Sequence, residues 1–198
     1  DEIENTLFFF DRTIFRAVAS FYDTFDRKLA EHYPEVKRER WFLSMASWVG
    51  GDRDGNPFVT TELSEHAAAR HNHYALRFYL AELDRLIEEL THAVPEDADI
   101  DAGDPEDSDP FQPSEGYRRR VKKIRDRLAD GGYSASDDLA DDLAEIRLAL
   151  LKQKARRTAD GRIWQLIACV RAFGFHLAEL DFRDHSGKLD NKPKDVRD

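Results

Sequence analysis

Apolar residues recur at helical spacing along most of the chain. Between residues 3 and 31 they follow one another at steps of three and four, which predicts one amphipathic helix with a single core face. Pro34 would stop this helix. The same stripe would also suit a helix that binds a partner. The predicted face consists of Leu7, Phe10, Ile14, Val18, Phe21, Phe25 and Leu29.

Four further helices are predicted, each with a candidate residue at its start. A long one follows Pro57, with Thr61 as its N-cap, and ends before Pro95. The other three would begin at Ser114, Ser136 and Asp160. The glycines at 131, 132 and 174 suit the ends of helices, where a left-handed backbone is common.

Two short apolar segments interrupt the helical pattern, at residues 41–49 (WFLSMASWV) and 175–182 (FHLAELDF). The first is apolar, rich in aromatic residues and short, which suits a buried strand, although periodicity alone does not exclude a helix there. The second is also a candidate strand. A strand, a loop, helices and another strand are typical of an α/β fold. Because two strands cannot close a sheet or a barrel, we expect the rest of the sheet to lie outside this chain.

Charge and composition exclude several classes of function. With a formal net charge of −10, the chain lacks the basic surface that would attract nucleic acid or anionic lipid. Many of the acidic residues fall in residues 96–115, which we predict to be a flexible loop. Residues 187–198 are predicted to be a disordered or truncated polar tail. No signal peptide or membrane-spanning run is present.

The cysteine content and the first residue add two expectations. Cys169 is the only cysteine, so the chain forms no internal disulfide. It lies in an apolar helical run, which predicts a buried, inert thiol and fits a cytoplasmic protein. The chain begins with Asp1 rather than methionine, which suggests processing or an expressed fragment.

The segment GGDRDGNP at residues 50–57 has an unusual composition, because three glycines and a proline demand a specific backbone path. Asp52 and Asp54 flank Arg53 in this loop, at a strand end where α/β folds place their sites. A calcium loop is excluded, since Pro57 and Leu63 occupy its sixth and twelfth positions. Neither glycine-rich phosphate motif is present. A rigid turn whose charges satisfy one another remains an alternative.

The segment LDFRDHS at residues 180–186 is the second candidate. Arg183 could offer its planar guanidinium to a phosphate or a carboxylate, or could simply pair with a neighbouring aspartate. His185 could move a proton or stand exposed without a task.

Two other groups of residues are weaker candidates. His66, His71 and His73 lack the spacing of a metal site, so a solvated helix face is predicted for them. The basic run RRRVKK at residues 118–123 either pairs with the acidic stretch, is solvated, or binds a phosphorylated sugar as an activator.

Two segments resemble the phosphoenolpyruvate carboxylase family. FLSMASWVGGDRDGNPFVT is similar to the family's F-G-S-W-M/I-G-G-D-R-D-G-N-P-x-V-T, and residues 50–57 match without interruption. VRAFGFHLAELDFRDHS resembles V-x-x-F-G-x-x-L-x-x-L-D-I-R-Q-E-S, with departures at Phe182, Asp184 and His185. The resemblance covers residues 3–186.

The resemblance implies an enzyme that converts phosphoenolpyruvate and bicarbonate to oxaloacetate and phosphate, with Mg²⁺ or Mn²⁺, as a homotetramer. The implied fold is an eight-stranded parallel (β/α)8 TIM-type barrel among many helices, so the chain would be mostly α-helical with two barrel strands. Residues 1–186 would form part of that domain. Arg183 corresponds to the family's active-site arginine that contacts the substrate phosphate. Arg53 would also bind substrate, in a loop that borders the site and includes Gly50, Gly51, Asp52, Asp54, Gly55 and Asn56.

Several parts of the family pattern are absent from this sequence. The upstream T-A-H-P-T histidine segment, the metal-binding carboxylates and the downstream glycine-arginine loop are missing. We therefore expect the chain alone to bind no metal and to be inactive, and to work with the rest of the same polypeptide. The alternatives are a helical anion-binding or regulatory module and a purely structural helical domain.

Overall fold

The computed structural model describes residues 2–54, 56–90 and 116–185, apart from the side chain of residue 11. The predictions for the acidic loop at 96–115, for a cap at Ser114, for Gly55 and for the tail at 187–198 fall outside these residues.

The described chain is mostly helical with two short strands, as the apolar pattern predicted. None of its helices is long and apolar enough to cross a membrane. In chain order the elements are α1 (Glu2–Phe9), a π-helical turn (Phe10–Ile14), α2 (Phe15–His32), β1 (Ala46–Ser47), α3 (Thr61–Glu89), α4 (Gly116–Ala129), α5 (Ser136–Lys152), α6 (Arg156–Ala159), α7 (Arg162–Phe173) and β2 (Glu179–Leu180).

The π-helical turn corrects the predicted core face of the first helix. A π turn holds one more residue than an α turn, so every position after it moves round the helix. Phe15 and Tyr22 are therefore fully buried, whereas Phe21, predicted to be in the core, is 42% exposed. The Tyr22 hydroxyl accepts hydrogen bonds from the backbone N–H groups of Phe42 and Leu43, at 3.0 and 2.8 Å. By turning Tyr22 to the buried face, the π-helical turn thus connects the first helix to the chain that leads into β1.

Helix α7 lies at the centre of the core, packed against α2, α3 and α5, while α4 covers another face of α3. Cys169 of α7 is buried, as predicted, and its thiol donates to the Phe15 carbonyl at 3.3 Å. Burial raises the pKa of this thiol to about 12, so it is not a nucleophile at neutral pH. The predicted apolar face of α7 is buried: Ile163, Leu166, Ile167, Val170 and Phe173.

The helix starts differ from the predicted caps by one residue. Thr60, not Thr61, caps α3, because its extended backbone lets the side chain accept the Leu63 N–H. Ala135 and Gly161 occupy the cap positions of α5 and α7 without any side-chain hydrogen bond, so the caps predicted at 136 and 160 were wrong. Of the three glycines predicted at helix ends, Gly131 and Gly174 have positive φ, at 70° and 55°, whereas Gly132 does not.

Both strands are shorter than predicted, and neither segment is buried throughout. Residues 41–49 alternate between partly buried and exposed positions, and Trp48 is 60% exposed. The prediction of a fully buried strand was wrong because, among the described residues, only β2 pairs with this segment. In the second segment a turn occupies residues 174–176, so pairing begins only at Glu179.

Candidate functional site

The two candidate segments meet because their strands pair in parallel. Ala46 is opposite Glu179 and Ser47 is opposite Leu180. Parallel strands end at the same edge of a sheet, so the residues that follow each strand emerge side by side. The start of the glycine loop, at residues 50–54, and the arginine at 183 therefore lie at one edge, as the family resemblance implied.

The pairing continues beyond the strands through a bridge between Asp52 and Arg183. The backbone N–H of Arg53 donates to the Arg183 carbonyl at 2.7 Å, and the Arg183 N–H donates to the Gly51 carbonyl at 3.1 Å. Two backbone hydrogen bonds thus fix the position of Arg183 relative to the glycine loop.

The two glycines after β1 are required by close packing. Gly50 has φ +94°, and a Cβ there would lie 2.6 Å from the Cβ of Ala67 on α3. A Cβ on Gly51 would lie 2.3 Å from the carbonyl oxygen of Asp181. Gly50 and Gly51 therefore let the loop come close to α3 and to the chain after β2. This gives a structural reason for the two glycines that begin the motif.

Among the described residues, the Arg183 side chain makes one ion pair, and it is otherwise largely exposed. Its Nη1 donates to Oδ2 of Asp52 at 3.2 Å, and the side chain is 55% exposed. An exposed pair of this kind contributes little to stability. The guanidinium therefore keeps further donors for an anion. Its ion-pair partner is the distant Asp52, not the neighbouring aspartate that the sequence left as an alternative.

Arg53 points in a different direction, toward α3. Its Nη2 donates to the buried Ser64 hydroxyl at 3.2 Å, and its guanidinium lies 5.5 Å from the ring centroid of Phe182. Its Nε is buried and has no hydrogen-bond partner among the described residues. Arg53 joins the loop to the helix, and its predicted contact with substrate stays a prediction.

The remaining polar residues of the loop organise its turns. The Asp54 N–H donates to Oδ1 of Asp52, and the Phe58 N–H donates to Oδ1 of Asn56.

Across residues 2–54, 56–90 and 116–185, no three His, Cys, Asp or Glu side chains come together in a group that could hold a metal ion.

The three histidines of α3 are not alike. His66 and His73 are exposed, but His71 is only 2% exposed, so its prediction as part of a solvated face was wrong. Its Nδ1 contacts the His176 carbonyl at 3.2 Å. Because a carbonyl can only accept, Nδ1 carries the proton. His185 is exposed, and its backbone N–H donates to Asp184.

Burial lowers the pKa of His71 below its usual value near 6.5. The unfolded chain then binds the proton first, so the free energy of unfolding should fall as pH drops below about 6.5. This decrease in the free energy of unfolding amounts to at most about 1.4 kcal/mol per pH unit. His71→Gln should abolish it, whereas substitution of the exposed His73 by Gln should leave it in place. Urea unfolding between pH 5 and 8 measures the difference. An unchanged pH slope in His71→Gln would contradict it.

The basic run on α4 binds neighbouring helices. Arg118 donates from Nε to the Ile87 carbonyl at 2.9 Å, and Arg120 pairs with Asp142 and Glu145 of α5. These contacts give the run a structural role; pairing with the acidic stretch lies outside the described residues.

Sequence reasoning missed the polar residues of α3 that contact both candidate segments. The signal was available, since the polar Ser64 and His71 interrupt the buried stripe of α3 at a spacing of seven residues.

Comparison with known proteins gives one consistent family. The family model described as Phosphoenolpyruvate carboxylase matches residues 1–192. Proteins named phosphoenolpyruvate carboxylase from Aromatoleum aromaticum, Rhodopseudomonas palustris (strain BisB5) and Nitrosomonas europaea are 34%, 36% and 32% identical to this chain. Each comparison covers 94% of the chain but only 22–23% of the relative. The chain thus spans less than a quarter of the length of these relatives.

Proposed function

Because this chain belongs to the phosphoenolpyruvate carboxylase family, we propose that it works as one segment of an enzyme that forms oxaloacetate and phosphate from phosphoenolpyruvate and bicarbonate. Its role would be to supply Arg183 and the loop at residues 50–57 to the active site.

The observation that carries this proposal is the meeting of the two motif segments at one sheet edge. Their backbones are joined by the hydrogen bonds between Arg53 and Arg183 and between Arg183 and Gly51. Enzymes with parallel strands place their reacting groups at the carboxyl ends of those strands. An exposed guanidinium at this edge is therefore available to a ligand.

We propose that β1 and β2 are neighbouring strands of the eight-stranded (β/α)8 barrel. Among the described residues, neither strand pairs with a further strand at its outer edge, so the backbone groups there are open to pairing. Large aromatic side chains beside them are exposed, and further strands and helices of the same polypeptide would bury them. The aromatic residues concerned are Phe42, Trp48, Phe58 and Phe182.

The chemistry proposed for Arg183 is binding of the phosphate of phosphoenolpyruvate. As the phosphoryl group leaves the enol oxygen and bonds to an oxygen of bicarbonate, charge is spread over its remaining oxygens. A planar guanidinium can bind two of these oxygens and stabilise that charge. Asp52 would hold the guanidinium in place from the other side.

The Mg²⁺ or Mn²⁺ implied by the family does not fit the described residues. They contain no group of three candidate ligands, and Asp52 is already bonded to Arg183. We therefore place the cation outside the described residues and give it no part in the steps above. Homotetramer assembly and a cytoplasmic location are proposed on family membership alone.

The test compares the complete polypeptide with the 198-residue chain. Oxaloacetate formation is followed by coupled reduction to malate, with phosphoenolpyruvate and bicarbonate each omitted in turn as controls. The complete polypeptide should turn over only with both substrates, and the chain alone should show no turnover, because the missing groups act as a unit. Activity of the isolated chain would overturn the second expectation. A complete polypeptide that binds anions without turnover would favour a regulatory module.

A further inference from the structure

One face of α3 binds the turn that precedes β2. The Tyr79 hydroxyl donates to the Gly174 carbonyl at 2.6 Å, and Nδ2 of Asn72 donates to the Phe175 carbonyl at 2.9 Å. His71 Nδ1 reaches the next carbonyl, that of His176, at 3.2 Å. Three consecutive carbonyl groups are thus held by three side chains of one helix.

The same helix binds the glycine loop from its first turns. The Ser64 hydroxyl donates to the Gly50 carbonyl at 2.6 Å and accepts from the Arg53 guanidinium at 3.2 Å. Helix α3 is therefore the single body to which both strand-end segments are bonded.

The turn before β2 has a backbone that must be held. Gly174 and Leu177 both have φ +55°, and for leucine this is a costly conformation that persists only when its surroundings impose it. Leu177 is buried and lies two residues before the start of β2. A turn released from α3 would relax at Leu177, and β2 and the following residues up to Arg183 would move with it.

From these contacts we propose that His71, Asn72 and Tyr79 are positioning residues for Arg183. They touch no substrate. They fix the turn at residues 174–176, which sets the register of β2 on β1 and so the place of the guanidinium beside Asp52. This inference rests on the proposed function of Arg183, although its structural half can be measured separately.

The variants remove hydrogen bonds while keeping shape. Tyr79→Phe and Asn72→Leu, alone and combined, each lose a donor to the turn. Tyr133→Phe is the matched control, because its hydroxyl also loses a short hydrogen bond, to Asp142 at 2.6 Å, away from the two candidate segments.

The first measurement is residue-resolved amide exchange in the 198-residue chain. Exchange at Arg53, Asp181 and Arg183, whose N–H groups join the two segments, should become about tenfold faster in the double variant. Amides in the middle of α5 should be unchanged. If amide exchange became equally faster in α5, or did not become faster at the two segments, the proposal would be overturned. The contacts of α3 would then contribute only to general packing.

The second measurement is kinetic, in the complete polypeptide. The double variant should raise KM for phosphoenolpyruvate at least tenfold and leave KM for bicarbonate unchanged, because the displaced group binds phosphate. Tyr133→Phe should leave both values unchanged. Normal kinetics in the double variant, with activity lost in Arg183→Gln, would refute only the positioning role. Normal kinetics in both would refute the proposed function itself.

Discussion

Arg183→Gln in the complete polypeptide is expected to lower kcat/KM for phosphoenolpyruvate about 10³-fold, the size of effect seen when a donor to a transferring phosphoryl group is lost. Glutamine keeps much of the length but has neither the charge nor the paired N–H donors of the guanidinium. Stability should barely change, because the side chain is largely exposed and its pair with Asp52 is a surface interaction. Steady-state kinetics and urea unfolding measure the two effects.

Two further variants sharpen this result. Arg183→Lys keeps the charge without the planar fork and should recover only part of the lost activity. Arg27→Gln removes an exposed arginine of α2, outside both segments, and should change nothing. Activity within twofold of wild type in Arg183→Gln would show that the arginine is a structural partner of Asp52 and no more.

Gly51→Ala should destabilise the chain by about 3 kcal/mol, because a new Cβ would stand far inside contact distance of backbone that cannot yield easily. It would lie 2.3 Å from the Asp181 carbonyl oxygen and 3.3 Å from Cγ of Leu180. The loop and β2 would have to separate. The hydrogen bonds between Gly51, Arg53 and Arg183 would then be lost together.

Gly131→Ala is the matched control for this prediction. Gly131 has φ +70°, but a Cβ there meets nothing within 4 Å, so only the left-handed backbone costs about 1 kcal/mol. Urea unfolding followed by circular dichroism gives both values. If Gly51→Ala were no less stable than Gly131→Ala, the close approach of loop and strand would be wrong.

Local patterns were sufficient for the long helices, for the presence of two short strands and for their order, but not for α6 or the π-helical turn. Helical spacing of apolar residues predicted the long helices, and the glycines at 131 and 174 predicted their ends, because both depend on neighbours a few residues away. The buried thiol of Cys169 followed from an apolar run. The resemblance of the two motif segments to a known family implied that Arg183 and the loop at residues 50–57 border the same site.

Contacts between distant parts of the chain decided the rest. The phase of the first helix after Phe10, the short pairing of β1 with β2, and the burial of His71 depend on what packs against each element, which no local window contains. The sequence by itself determined which groups could bind an anion. The tertiary structure decided that Arg183 faces outward while Arg53 turns to α3, because only packing against that helix distinguishes two arginines of identical chemistry.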